Sequence, residues 1–336
     1  MRRPTLNDVA AEAGVSAKSV SRVINGASNI SPELRRRVET AVEKLNYVPN
    51  TLARALKMGI GDTVGVVIDS ISDPFFAALT SAVEAAAVEA GLGTVFGSTG
   101  LDPAREREQV ERMIMRQVKA LILAPVRRSH DYLRRYAAQM PIVLVDRTVE
   151  GQLFDTVRVD DRGDARAAVD HLLAVGHRRI AFVGADDRYS TICDRLLGYR
   201  DALAAHGIEA AAELCCPQPV TDADSVALLA GLRTLPEPAT ALFAATSRDA
   251  IRLVFAMHTT DTTDLALISF GDFPLSRSLR PPVTVVDHDP VLIGRTAMQR
   301  VLDGLGGEHG PPRDIVVPTR LVPRGSGEIR PSEVST

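Results

Sequence analysis

Residues 5–25 read T-L-N-D-V-A-A-E-A-G-V-S-A-K-S-V-S-R-V-I-N, and their spacing sets the reading of the whole chain. Leu6, Val9, Ala10 and Ala13 recur at the i, i+3, i+4, i+7 interval of one helix face. Thr5 stands before them as an N-cap, and Asp8 falls in the first turn, where the helix dipole favours an anion. Gly14 ends that helix, since only glycine takes the left-handed stop without steric cost. Ser16 caps a second helix whose inward face is Val20, Val23 and Ile24. Its other face carries Ala17, Lys18, Ser21, Arg22 and Asn25, with no large apolar side chain among them. Two short helices about a tight turn, the second with a small, polar and basic face, have the make-up of a helix-turn-helix reading head. A plain amphipathic hairpin shares the periodicity, so other features have to separate the two.

Two features do. Ser31-Pro32 is an N-cap followed by a proline at the first helical position, opening a third helix buried through Leu34, Val38, Ala41, Val42 and Leu45. Residues 1–60 hold ten Lys or Arg against five Asp or Glu, a net charge of +5. The chain as a whole is −3, which leaves −8 on the other 276 residues. A basic head on an acidic body is the distribution that DNA binding requires.

From Thr63 the texture changes to strand and helix in alternation. V-G-V-V-I (64–68), G-T-V-F-G (93–97), A-L-I-L-A (120–124) and P-I-V-L-V-D (141–146) are apolar strands between helices at 75–89, 105–117 and one ending near Met140. The rhythm restarts at I-A-F-V-G (180–184), A-L-F-A-A (241–245) and A-L-I-S-F (266–270). Continuous apolar strands mean parallel sheets covered on both faces. The fold class is α/β: an all-α helix-turn-helix headpiece followed by two doubly wound lobes, with a cleft at the carboxyl ends of their strands. No phosphate-binding glycine loop, nucleophile elbow or zinc-protease pattern occurs, so neither catalysis nor a cofactor is expected. Asp287-His288-Asp289 is not a metal site, because consecutive strand side chains alternate faces. Cys193, Cys215 and Cys216 are odd in number and partly adjacent. With no secretory signal and no membrane-length apolar run, the expected compartment is the reducing cytoplasm.

The residues quoted so far, with L-N-Y-V-P-N at 45–50 and A-R-A-L at 53–56, resemble the headpiece of the lactose-repressor (LacI-type) family of bacterial transcription regulators. The resemblance continues through nearly the whole chain, with a body of the periplasmic-binding-protein type. It implies a headpiece at 1–49, a hinge helix and linker at 50–61, and an effector-binding and dimerisation body at 62–336. Within the body, lobe 1 is expected at 62–160 with 290–318, and lobe 2 at 161–289 with 319–330. It further implies a homodimer on a near-palindromic double-stranded operator, acting as a repressor. The DNA contacts are then expected from Thr5, Ser16, Ala17, Lys18, Ser19, Ser21, Arg22 and Asn25 of the head, and from Asn50, Ala53, Arg54, Leu56 and Lys57 of the hinge. Leu56 is the apolar wedge that opens a minor-groove step.

In the body the resemblance points to a small-molecule effector, a sugar or sugar acid. Asp73 and Phe75 follow the first strand, Asp146-Arg147 ends the fourth and Asp160 closes the next. Arg195 precedes Gly198-Tyr199 by three residues and matches the family's ligand-clamping arginine. Thr246, Asp272 and His288 complete the expected set. Here the chain also departs from the pattern: Thr246-Ser247 replaces Asn-Asp, Phe270-Gly271-Asp272 replaces Phe-Asp-Asp, and His288 replaces a common Gln. These departures leave open a regulator that has lost its effector. A solute-binding protein would share the body but has no use for a basic head, and an enzyme would need an acid–base pair or nucleophile. L-V-P-R-G-S at 321–326 is identical to a thrombin cleavage site, yet with Pro318-Thr319-Arg320 it also resembles the family's last strand and reads as native.

Overall fold

The computed structural model describes residues 4–24, 30–45, 47, 62–151, 153–186, 188–308 and 310–331. The chain divides into two units, Met1–Gly61 and Asp62–Thr336. The expected hinge helix, with Asn50, Ala53, Arg54, Leu56 and Lys57, lies outside the described residues, as does Asn25.

The first unit holds α1 (Leu6–Ala13), α2 (Ala17–Ile24) and α3 (Pro32–Lys44). Thr5 caps α1 reciprocally: its backbone N–H donates to the Asp8 carboxylate at 2.7 Å, and its hydroxyl oxygen accepts the Asp8 N–H at 3.3 Å. Gly14 takes φ 62°, the left-handed stop expected of it. Arg37 of α3 donates to the Ala13 and Gly14 carbonyls, satisfying acceptors that the end of α1 leaves open. Val9, Ala10, Ala13, Val20, Val23, Val38 and Ala41 close one small core.

The second unit is built on two six-stranded sheets. The first contains β1 (Thr63–Ile68), β2 (Gly93–Ser98), β3 (Ala120–Leu123), β4 (Ile142–Val145), β5 (Asp155–Arg158) and, from late in the chain, β11 (Asp314–Val316). Their order is β11-β5-β4-β3-β1-β2, every neighbour parallel. The second contains β6 (Ile180–Ala185), β7 (Cys215–Pro217), β8 (Ala241–Ala244), β9 (Ala266–Phe270), β10 (Thr284–Asp287) and β12 (Arg320–Val322), ordered β12-β10-β9-β8-β6-β7. The expectation of wholly parallel sheets fails at β12, which runs antiparallel to β10. It enters its sheet from the opposite end after the chain's last crossing and forms an edge. The strands β7 and β11 were not anticipated, being only three residues long.

Helices cover both faces of each sheet. On the first sheet, α4 (Pro74–Glu89) and α11 (Pro290–Leu305) pack together on one side, with α5 (Pro103–Met115) on the other; α6 (Arg134–Ala137) is a single turn before β4. On the second, α7 (Asp161–Val175) pairs with α8 (Ser190–Ala205), and α9 (Asp222–Arg233) with α10 (Ser247–Thr259). The inner strands β1, β3, β4, β6, β8 and β9 are buried on both faces, as their unbroken apolar runs require, whereas the apolar run at 93–97 forms β2 at a sheet edge and leaves Phe96 37% exposed. The chain passes between the lobes three times, after β5, β10 and β11.

One glycine brings the cleft residues together. A Cβ at Gly198 would lie 2.1 Å from the Arg162 carbonyl oxygen. Only glycine lets α8 press this closely on α7, and the contact carries Arg195 of α8 to Asp161 of α7.

Candidate nucleic-acid interface and ligand cleft

In the headpiece, α2 turns Val20 and Val23 inward and leaves Lys18 and Arg22 exposed, while Ser19 and Ser21 are half-buried. Ala17 was expected on the outer face but packs partly against the core. Ser16 starts the helix by accepting the Ser19 N–H at 3.1 Å, and its hydroxyl lies 2.9 Å from that of Ser19. The Thr5 hydroxyl is committed to the Asp8 carboxylate at 2.7 Å. What these positions hold toward a phosphate is therefore the backbone N–H groups of two helix starts.

In the body, Asp73, Phe75, Asp146, Arg147, Arg195, Thr246 and His288 line one cleft between the lobes. Asp146 sits at the end of β4 with φ 70°, a left-handed conformation that Asp tolerates better than most residues. Burial raises its carboxyl above the ordinary range, with Arg147 and Arg195 opposing. Arg147 forks onto Asp69 at 2.9 and 2.5 Å and also donates to the Pro125 carbonyl. Its Nε lies 3.5 Å from Asp146 without bonding it. Arg195, 4% exposed, donates to Asp161 at 2.7 Å and to the Ala245 carbonyl at 2.7 Å, and rests 3.7 Å above the Phe270 ring. Burial raises the Asp161 carboxyl and Arg195 pulls it back.

Among the described residues, the contacts that join the lobes across this cleft include three made by polar or ring groups. Asp73 caps α4 by accepting the Phe75 N–H at 3.0 Å, and its other oxygen meets Arg248 of α10 at 3.3 Å. Tyr189 lies under Arg147, with the guanidinium carbon 5.0 Å from the ring centre. His288, in the second crossing, stacks on Phe75 at 4.7 Å with the rings 5° from parallel. Burial, aided by Arg195, pushes its imidazole down to about 3, so the ring is neutral at ordinary pH. Nδ1 of His288, Nε of Arg147 and Nε of Arg248 are all buried without a hydrogen-bond partner in the protein. Buried polar atoms are nearly always bonded, so three unpaired nitrogens around one cleft mark a binding site.

Two expected cleft residues stand elsewhere. Asp160 is exposed and caps α7, accepting the Gly163 N–H at 3.0 Å; the carboxylate that reaches Arg195 is its neighbour Asp161. One step along a helix turns a side chain by about 100°, which separates the two roles. Asp272 is bound by Arg324 at 2.6 and 3.0 Å, a pairing that holds its carboxyl well below the usual range against the effect of burial. Thr246 lines the cleft but spends its hydroxyl on Asp249 at 2.6 Å, capping α10. The reading missed Asp69, Asp161, Tyr189 and Arg248. Asp69 had a signal in its position directly after β1, and Arg248 in the first turn beyond a strand.

Among the described residues no helix is long and apolar enough to cross a membrane, and no cluster of His, Cys, Asp or Glu is placed to hold a metal ion. An exposed basic helix on a helix-turn-helix, in one chain with a two-lobed binding body, defines a ligand-responsive DNA-binding regulator. Residues 5–50 match the lacI family of bacterial regulatory proteins, and 169–327 match the periplasmic binding protein-like domain. The chain is 32% identical over 340 residues to the transcriptional regulator CelR of Thermobifida fusca, covering 97% of this chain and 99% of that one. It is 33% identical over 302 residues to GalR of Escherichia coli K12, covering 89% and 88%. The solved CelR–cellobiose complex matches with a TM-score of 0.69 at 30% identity, over 96% of this chain and all of that one. The fold matches the Lac repressor dimer bound to operator and an anti-inducer with a TM-score of 0.82 at 24% identity, over 97% and 99%. The chain belongs to the lacI family of bacterial transcriptional regulators.

Proposed function

We propose that this regulator acts in the cytoplasm as a homodimer on a near-palindromic operator, and that a sugar or sugar acid in the inter-lobe cleft sets its DNA affinity as a repressor. The reading assigns base contacts to Ala17, Lys18 and Arg22, and effector contacts to Asp146, Arg147, Arg195 and His288. The observation that carries it is the meeting of Arg195, from the second lobe, with Asp146 and Arg147, from the first, in one cleft lined by unpaired buried nitrogens. Its relatives support the same reading: CelR has been solved with cellobiose, and GalR is a transcriptional regulator. The cleft is read as binding its ligand without transforming it: Asp69, Asp73 and Asp161 are each committed to an arginine, which leaves Asp146 without a second free carboxylate for an acid–base pair among the described residues. A ligand shifts DNA affinity only through its differential affinity for two lobe arrangements, typically about 1–3 kcal/mol.

The test is DNA-binding titration of the wild type, Arg22→Ala and Arg195→Ala on a selected operator and on random duplex, with and without effector. A sound arginine–guanine contact is worth about 1–3 kcal/mol of discrimination, so Arg22→Ala narrows the gap between operator and random DNA. Arg195→Ala keeps ligand-free binding and loses the ligand response. A full response in Arg195→Ala refutes the role given to the cleft.

A further inference from the structure

Charge balance at the cleft says more about the ligand than its hydrogen-bonding groups do. Each guanidinium there already has a carboxylate of its own. Arg147 forks onto Asp69, Arg195 bonds Asp161, Arg248 meets Asp73, and at the rim Arg188 binds Asp186 at 2.6 Å. Asp146 is a fifth carboxylate, 3.5 Å from an arginine that Asp69 already holds in two bonds. Among the described residues the cleft therefore carries no positive charge to spare, and the one group these pairings leave unmatched is an acid. With the four paired carboxylates ionised, protonating Asp146 brings the balance only to zero.

We infer that this cleft selects an uncharged polyhydroxyl ligand and discriminates against sugar acids and sugar phosphates; the inference rests on the reading of the cleft as a sugar site. The unpaired nitrogens fit the same choice. Nε of Arg147 and Nε of Arg248 are donors whose charge is neutralised next to them, so each offers a hydrogen bond without a net positive field. A hydroxyl group serves both sides at once, accepting from Arg147 Nε while donating to Asp146, its neighbour at 3.5 Å. A ligand carboxylate or phosphate accepts but does not donate, and it brings a second negative charge against a buried one. Displacing a resident carboxylate to make room is no remedy, because Asp69 and Asp73 are 1% and 8% exposed and would stay close by.

Matched titrations of the full chain test this: D-galactose against D-galacturonate, D-glucose against D-glucuronate and glucose 6-phosphate, and cellobiose against cellobionate, by calorimetry at pH 8. The expected result is that the neutral member of any pair that binds does so at least tenfold more tightly. In Asp146→Asn, which keeps the shape and removes the charge, the acid-to-neutral affinity ratio rises at least tenfold. A charged member that binds more tightly than its neutral partner overturns the inference and leaves the sugar reading standing. Binding by no member of any pair overturns the sugar reading and this inference with it. The wild-type titrations decide alone should Asp146→Asn fail to fold; an unchanged ratio in a folded Asp146→Asn also overturns the inference.

Discussion

His288 is where the chain's departures from the family pattern meet. A Cβ at Gly271 would lie 2.7 Å from His288 Cε1 and 3.4 Å from the Ser247 side chain, so the missing carboxylate at 271 leaves the room that the imidazole uses. Gly271 also holds φ +102°, which side chains rarely adopt. The ring stacks on Phe75 and is buried, which depresses its pKa from 6.5 to about 3. The sign of the linkage follows. Below pH 6.5 the unfolded chain takes up a proton that the folded ring refuses, so folding stability falls as pH falls through that range. From pH 7.5 to 5.5 this costs about 1.4 kcal/mol. His288→Gln is expected to flatten the pH dependence of denaturant unfolding by that amount over that window. An unchanged slope would show that His288 titrates normally.

At the scale of elements, the run at 321–326 is part of the fold. β12 pairs with β10, the Arg324 N–H donates to the Thr284 hydroxyl, and its guanidinium is held by Asp272. Ser326 accepts the Thr284 N–H and donates to the Leu267 carbonyl. A protease needs an extended, accessible strand, and here the Arg324 side chain is 9% exposed. Thrombin should therefore leave the native protein uncut at Arg324-Gly325 and cleave there only once the chain is unfolded; rapid cleavage under native conditions would contradict the burial. The same pairing explains why Asp272 does not serve the cleft, since its carboxylate anchors this last strand.

Across the whole body, lobe arrangement rests on Asp73–Arg248, Arg147–Tyr189 and Phe75–His288. Each joins a residue of the first lobe to one of the second or of a crossing, so opening the cleft breaks all three. Exposed ion pairs contribute about 0–1 kcal/mol, but Asp73 is buried and fixed by its capping bond. A double-mutant cycle of Asp73→Asn and Arg248→Ala is expected to give a coupling energy of at least about 0.5 kcal/mol in denaturant unfolding. Strict additivity would mean that the lobes do not bear on each other at this point.

What the sequence alone determined was whatever depends on neighbours in the chain. The period of the apolar residues located α1, α2 and α3, and the unbroken apolar runs located seven strands of the two lobes. Thr5, Gly14, Ser16 and Ser31-Pro32 marked helix ends, because capping is decided within three or four residues. The ends of β1 and β4 pointed to Asp73, Asp146 and Arg147, because strand ends in such sheets form the cleft. Only the tertiary structure decided which charges pair. Arg147 finds Asp69 from 78 residues away, Arg195 finds Asp161 from 34, and Arg324 finds Asp272 from 52. No local period encodes such partners; they follow from how the helices pack, as Gly198 shows by setting the approach of α8 to α7. For the same reason Asp160 and Asp161 are alike in sequence and different in function, one capping a helix and the other holding the cleft arginine.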